Sequence, residues 1–364
     1  MKKISWWNIN LGESEVINKV NKCIKNKSYS MGVFTEKLEN ELSRITGFRY
    51  IVLTNSGSSA LLMASITAGV SKEDIVCIPN RTWIATAHAP SILGAKISLV
   101  DTEKDRPIFD TQKLKFLKND FKAVYPVSLN GNYANIGEIR KIIPKTIIIE
   151  DCAQAFLSYF NQKHIGLESD MACFSLGMAK ILPVGQGGFI GTNNIHYARK
   201  LKFIRSHGVD SVDARTPFMM QGFNFRPTDL IASVGLAQID KLEERRNSFI
   251  ILWRKYRDFL SKYKTIKLTP VNLSRGELPL YIEVISKHRD SIVKALSDYG
   301  VGTRKVYPDL DTAKYLNLIG NIDIENSRIF GQQAFVLPSG PDVAERDLDY
   351  IFSKLKFILD SIEN

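Results

Sequence analysis

The segment Phe174-Ser175-Leu176-Gly177-Met178-Ala179-Lys180, followed by Gly185-Gln186-Gly187-Gly188, sets one amine on a loop between two apolar runs. A lysine shielded by apolar neighbours can lose enough basicity to form an imine and then shuttle a proton. Most lysines are simply solvated, so Lys180 gains meaning only from what the chain sets beside it. In Glu150-Asp151-Cys152-Ala153-Gln154, Asp151 ends an apolar run and could hold a proton on a ring nitrogen through a charge-assisted hydrogen bond. A carboxylate left there without a partner would be costly. Asn55-Ser56-Gly57-Ser58-Ser59-Ala60-Leu61 reads either as an ordinary helix N-cap or as a phosphate cradle made of backbone N–H groups and hydroxyls. In Asn80-Arg81-Thr82-Trp83, the indole could lie flat on a ring or anchor the helix that follows. The glycines of 185–188 precede a strand instead of joining strand to helix, so they are no dinucleotide fingerprint; they read as close backbone packing beside a bound group.

These residues need a scaffold that brings strand ends together. Short apolar runs at 50–53, 74–78, 96–100, 122–127, 146–149, 171–175 and 188–192 alternate with helix-period segments. That alternation predicts an α/β fold with a mostly parallel sheet flanked by helices. The unbroken run Ile147-Ile148-Ile149 fits a central strand buried on both faces. Open α/β sheets bind ligands beyond the carboxyl ends of their strands, and the polar residues above sit where those ends fall. From 228 to about 262 apolar residues recur at helix spacing, which predicts a long helical connector. A strand over 278–285, a helix over 289–299 closed by Gly300, and a final amphipathic helix over 347–362 make a smaller α+β unit. The expected division is a large domain over 1–250, including the N-terminal segment, and a small C-terminal domain over 251–364.

With 364 residues, 44% of them hydrophobic, the chain has material for such a core. The 49 basic and 38 acidic residues leave a net charge of +11, which favours anionic ligands without naming one. No nucleic-acid module and no apolar run long enough for a bilayer is present. The start turns polar before an apolar core of a leader could form, so a cytoplasmic location is expected. The four scattered cysteines and five histidines show neither CxxC nor HExxH, so no metal is expected.

In chain order, SGSSAL, RTWIATA, EDCAQA, FSLGMAK, GQGG, RSHG and GFNFRPTDL resemble the DegT/DnrJ/StrS-type family of pyridoxal-phosphate-dependent sugar aminotransferases. The resemblance runs from 28–36 to Leu337-Pro338-Ser339. It implies a fold-type-I transferase with pyridoxal 5'-phosphate as cofactor. Gly57, Ser58, Ser59 and Ser175 would line the phosphate pocket and Trp83 would stack on the ring. Asp151 would pair with the ring nitrogen, Gln154 would approach the ring hydroxyl, and Lys180 would carry the cofactor. Asn224 would reach the phosphate of a neighbouring subunit, which implies a homodimer with shared active sites. Arg226 is a candidate clamp for a substrate carboxylate or phosphate.

The activity so implied is transfer of an amino group from L-glutamate to a nucleotide-linked ketosugar, a 4-keto-6-deoxyhexose first, for surface polysaccharide or glycan biosynthesis; the sequence leaves the nucleotide and the keto position, C3 or C4, open. Three departures from the family pattern fall near the substrate. Phe156-Leu157-Ser158 stands where a Gly-Ala pair is usual and would make the wall beside the cofactor bulkier. Val306-Tyr307-Pro308-Asp309-Leu310 lacks a histidine often found there, and FNFRP replaces NYRM; both would border the sugar pocket. One rival is a dehydratase of the same family, whose members carry histidine in place of the lysine, so Lys180 speaks against it. Another is a non-catalytic nucleotide-sugar-binding regulator, against which stands the intact set Asp151, Gln154, Ser175 and Lys180.

Overall fold

A computed structural model describes residues 3–117, 120–209, 217–320 and 323–364. Helices α1 (Glu13–Lys25) and α2 (Val33–Thr46) lead into β1 (Tyr50–Thr54), α3 (Gly57–Thr67), β2 (Ile75–Pro79), α4 (Ala85–Ile92) and β3 (Lys96–Val100). Then come α5 (Thr111–Leu114), β4 (Ala123–Val124), α6 (Ile136–Ile142), β5 (Ile147–Asp151), β6 (Tyr159–Phe160), β7 (Lys163–His164), β8 (Met171–Ser175), β9 (Gly188–Thr192) and α7 (Ile195–Arg205). The C-terminal part holds α8 (Asp229–Ile239), α9 (Leu242–Leu260), β10 (Lys267–Leu268), β11 (Ile282–Ile285), α10 (Arg289–Asp298), β12 (Arg304–Lys305), β13 (Leu318–Ile319), α11 (Glu325–Gln333), β14 (Ala334–Leu337) and α12 (Glu345–Glu363).

The large sheet has eight strands in the order β1-β9-β8-β5-β4-β2-β3-β13. Only β9 runs against its neighbours, pairing antiparallel with both β1 and β8. The sheet is therefore the mostly parallel one that the alternating sequence predicts. Along β5 the side chains alternate between two cores: Ile148 packs with Phe174 and Phe189 on one face, Ile149 with Val76 and Tyr125 on the other. That two-sided burial is why the run reads as continuously apolar. A second sheet, β10-β11-β14-β12, is antiparallel and packs with α9, α10 and α12 around Val284, Phe335, Ile351 and Leu355.

Several local readings shift. The connector is two helices, broken at Asp240 and Lys241, rather than one. Strand 122–127 shrinks to Ala123–Val124, because Pro126 has no N–H for the ladder. Strand 278–285 begins only at Ile282. The β6–β7 hairpin turns through Asn161 and Gln162, both left-handed at φ 49° and 68°. That is the geometry of a tight primed turn, hidden in sequence because neither residue is glycine. Within α9 the packing changes sides: Leu242 and Phe249 join the large core, Leu252, Trp253 and Tyr256 the small one. The two parts interlock, since Ile4 from the N-terminal segment packs in the small core and β13 from the C-terminal part extends the large sheet beside β3.

Opposite Asp151 on β5, Glu150 is wholly buried; Ser128 Oγ donates to its Oε1 at 2.6 Å. Burial pushes its carboxyl up to about 7, against the Ser128 bond that pulls it down. A folded-state value above the unfolded one means that Glu150 supports the fold fully below about 4.5 and loses that support as pH rises through about 7. Glu150→Gln, which keeps an acceptor for Ser128, is expected to flatten this decline, by on the order of 3 kcal/mol in total. Denaturant unfolding of both proteins from pH 4 to pH 8 measures it. Parallel pH profiles would contradict the assignment.

Candidate active site

Beyond the carboxyl ends of β1, β2, β5 and β8 lies a cavity of about 470 Å³ whose wall includes Gly57, Ser58, Trp83, Asp151, Gln154, Ser175 and Lys180. The sequence scatters these residues over more than a hundred positions, and the parallel sheet brings them to one rim.

The β1 corner could take an anion. Ser56 caps α3, its Oγ accepting the Ser59 N–H at 3.0 Å, so the first helical N–H groups are left for a ligand. Backbones crowd there. A Cβ on Gly188 would lie 2.6 Å from the Gly57 nitrogen, and one on Gly57 would lie 3.0 Å from the Ser175 Cβ. These contacts explain glycine at both positions and hold Ser175 against the helix start. Ser59 is not on the cavity wall; its Oγ donates to Asn55 Oδ1 at 2.7 Å and buttresses the turn.

Asp151 is 5% exposed and reaches the cavity from the end of β5. Thr86 Oγ1 donates to its Oδ2 at 2.7 Å and the Ala153 N–H to its Oδ1 at 3.0 Å. Burial raises its carboxyl above the usual aspartate range, while the Thr86 and Ala153 bonds and the charge of Lys180 pull it back down. Two donors thus aim the carboxylate without neutralising it, and a protonated ring nitrogen would complete it. Gln154 accepts the Asn130 N–H at 2.9 Å, which fixes its amide at the rim.

Trp83 is 48% exposed and lies on the cavity wall, so part of the indole is open to a bound group. Tyr307 meets it edge-on at 5.6 Å and the Arg304 guanidinium lies 5.8 Å from it. Arg304 also stacks on Trp6 at 5.0 Å and borders the cavity, as does the buried ion pair of Arg81 with Glu283. Among the described residues, no group of three metal-ligating side chains is present. The four cysteines are buried free thiols.

Two residues singled out from sequence lie apart from this wall. Asn224 is exposed, bridging to Ser206, and Arg226 is half-buried beside it. The segment runs past the start of α3, where the Asn55 N–H donates to the Phe225 carbonyl at 3.0 Å. The expected bulky wall at Phe156 is corrected: Phe156 and Leu157 pack in the core on the other face of the sheet, with Phe156 against Phe174 at 6.2 Å and Phe189 at 5.8 Å. Of the 306–310 segment, Val306 and Tyr307 reach the cavity. Sequence reasoning assigned nothing to Trp6, Arg81, Tyr281, Glu283 or Arg304, which share the wall. Each is an ordinary residue of an ordinary segment until the fold brings the N-terminal segment, β11 and β12 to the same cavity.

The residues present fit a phosphorylated pyridine. The helix start would take the anion, Asp151 the ring nitrogen and Trp83 the ring face, with a primary amine at the same rim. Comparison with known proteins agrees. The sequence model of the DegT/DnrJ/EryC1/StrS aminotransferase family matches residues 10–356. GDP-perosamine synthase of Caulobacter vibrioides is 28% identical over 341 residues, 91% of each chain. UDP-4-amino-4,6-dideoxy-N-acetyl-beta-L-altrosamine transaminase of Campylobacter jejuni is 27% identical over 373 residues, 99% of this chain and 98% of that one. Among solved structures, Escherichia coli GDP-4-keto-6-deoxy-D-mannose-3-dehydratase with bound hydrated pyridoxal phosphate superposes with a TM-score of 0.89. It is 21% identical and the match covers 98% of this chain and 100% of that one.

Proposed function

The chain belongs to the DegT/DnrJ/EryC1/StrS aminotransferase family, and from that premise we propose that it is a pyridoxal-phosphate-dependent aminotransferase that moves an amino group from L-glutamate onto a nucleotide-linked ketosugar. The observation that carries the reading is the joint presence of Lys180, Asp151, Trp83 and the open α3 start on one cavity wall. The cofactor, when bound, supplies an electron sink and a carbonyl that can carry the amino group.

The protein's share is to bind, aim and move protons. Gly57, Ser58 and Ser175 hold the phosphate at the α3 N-terminus. Asp151, aimed by Thr86 and Ala153, keeps the ring nitrogen protonated. Lys180 Nζ takes and returns the proton at the substrate carbon, and on the sugar this sets the configuration of the new amine. A dehydratase shares the fold, and the lysine at position 180 favours amino transfer over it. Two named relatives act on GDP- and UDP-linked sugars, which supports a nucleotide-linked acceptor here. Glutamate-dependent conversion of a panel of nucleotide-linked 4-ketohexoses, followed by mass spectrometry and NMR, tests this. Amination of none of them would count against the acceptor class.

The division near residue 250 belongs to this proposal, supported by the change of packing allegiance inside α9. So does a homodimer with shared sites in the cytoplasm, serving a polysaccharide pathway. No helix among the described residues is long and apolar enough to cross a membrane. Asn224 faces out from its own cavity, and Val33, Phe218, Met219 and Phe223 are exposed apolar residues suited to a partner surface. Across a two-fold axis Asn224 and Arg226 would meet the partner's phosphate or substrate.

Mixing Lys180→Ala with Asn224→Asp, whose added charge repels phosphate, then yields heterodimers with one doubly damaged and one intact site. Activity is expected to rise above both parents, toward about half of wild type per heterodimer. Proven heterodimers that never exceed the parental sum would contradict shared sites.

A further inference from the structure

The loop from β8 to β9 carries Lys180, yet little secondary structure holds it. Within it, Leu176 takes a bond from Val184 and gives one to Gly187, each 2.9 Å. Side chains from three distant places do the rest. Trp7 Nε1 donates to the Met178 carbonyl at 3.0 Å, Tyr281 Oη to the Ala179 carbonyl at 3.0 Å, and Arg245 Nη1 to the Ile181 carbonyl at 3.2 Å. The tethered carbonyls flank Lys180 on both sides.

Each donor is itself anchored. Trp7 is bridged to Ser339 and meets Tyr281 edge-on at 5.6 Å. The Asn130 side chain grips the Tyr281 backbone twice, Oδ1 accepting its N–H at 2.7 Å and Nδ2 donating to its carbonyl at 3.1 Å. The same Asn130 gives its own N–H to Gln154. Arg245, 4% exposed, also donates to the Asn10 carbonyl at 2.9 Å and pairs with Gln238.

From this we infer that Trp7, Tyr281 and Arg245 are positioning residues, which fix the backbone on either side of Lys180 so that its amine meets the reacting carbon at one distance. The inference rests on the role proposed for Lys180. The N-terminal segment and the region preceding β11 thereby become parts of the catalytic apparatus, although neither contributes the amine or the acid. Misplacement of a reacting group by about 1 Å can cost about a hundredfold in rate, whereas substrate affinity, set by other contacts, need not change.

Tyr281→Phe and Trp7→Phe remove one donor each and keep the aromatic packing. In the cofactor-free protein, tryptic cleavage after Lys180, followed by mass spectrometry, is expected to quicken about tenfold in each variant, because a released loop fits the protease more often. In the loaded enzyme kcat should fall about 10- to 100-fold while KM for both substrates stays within about threefold. The double variant should cost less than the product of the singles, since both tethers serve one loop. Unchanged cleavage overturns the inference, and so does faster cleavage with kcat unchanged, which would make the tethers merely structural. Wild-type protein that takes up no pyridoxal phosphate would remove the functional reading instead, while the cleavage arm would still report whether the tethers hold the loop.

Discussion

Lys180→Ala should lose turnover by roughly 10⁴-fold or more, the combined effect of removing a covalent anchor and a proton shuttle. The variant should still fold. Lys180 is half-buried on a loop outside the sheet, and its side chain fills no core position. It should also still bind the cofactor, because the α3 N-terminus, Ser175, Asp151 and Trp83 remain. Absorbance of the dialysed variant and steady-state assays separate the two effects. Sustained multiple turnovers would remove Lys180 from the reaction, since among the described residues the other lysine on the wall, Lys305, pairs with Asp290 at 2.9 Å.

Asp151→Asn should lower kcat by roughly 10³-fold while the cofactor is retained more weakly. A neutral amide cannot stabilise a protonated ring nitrogen as a carboxylate does. The surroundings tolerate the change. Thr86 Oγ1 and the Ala153 N–H both aim protons at the two carboxylate oxygens, at 2.7 and 3.0 Å. An asparagine can keep both contacts, its Oδ1 accepting the Ala153 N–H and its NH₂ donating to Thr86 Oγ1, whose own proton turns to the Trp83 carbonyl at 3.1 Å. The penalty is therefore expected in rate and not in stability. A rate within a fewfold of wild type would mean that Asp151 does not face the ring nitrogen.

What the sequence discloses depends on whether a residue's meaning is local. Asp151 and Ser56 are legible because a buried apolar strand or a capped helix sits directly beside them, and those patterns have one period and one end. Lys180 is legible only as one of an ordered set of short motifs. Arg304, Tyr281 and Glu283 are not legible at all, because they gain their roles when β11, β12 and the residue before β11 come to the cavity at the strand ends of the large sheet. No periodicity records that juxtaposition. The same holds for β13, a two-residue strand whose partner β3 lies more than two hundred positions earlier. Phe156 shows the converse. Its place in the motif pointed to the cavity, and the turns that follow β5 carried it into the core against Phe174 and Phe189.

The rival chemistry on this fold removes a sugar hydroxyl and leaves the substrate without new nitrogen. Incubation of the purified protein, loaded with pyridoxal phosphate, with L-glutamate labelled at its amino nitrogen and a nucleotide-linked 4-ketohexose separates the two reactions in one measurement. The expected result is label in the sugar, with one equivalent of 2-oxoglutarate for each amine formed. Loss of water from the sugar without incorporated label would contradict amino transfer and the role given to Lys180.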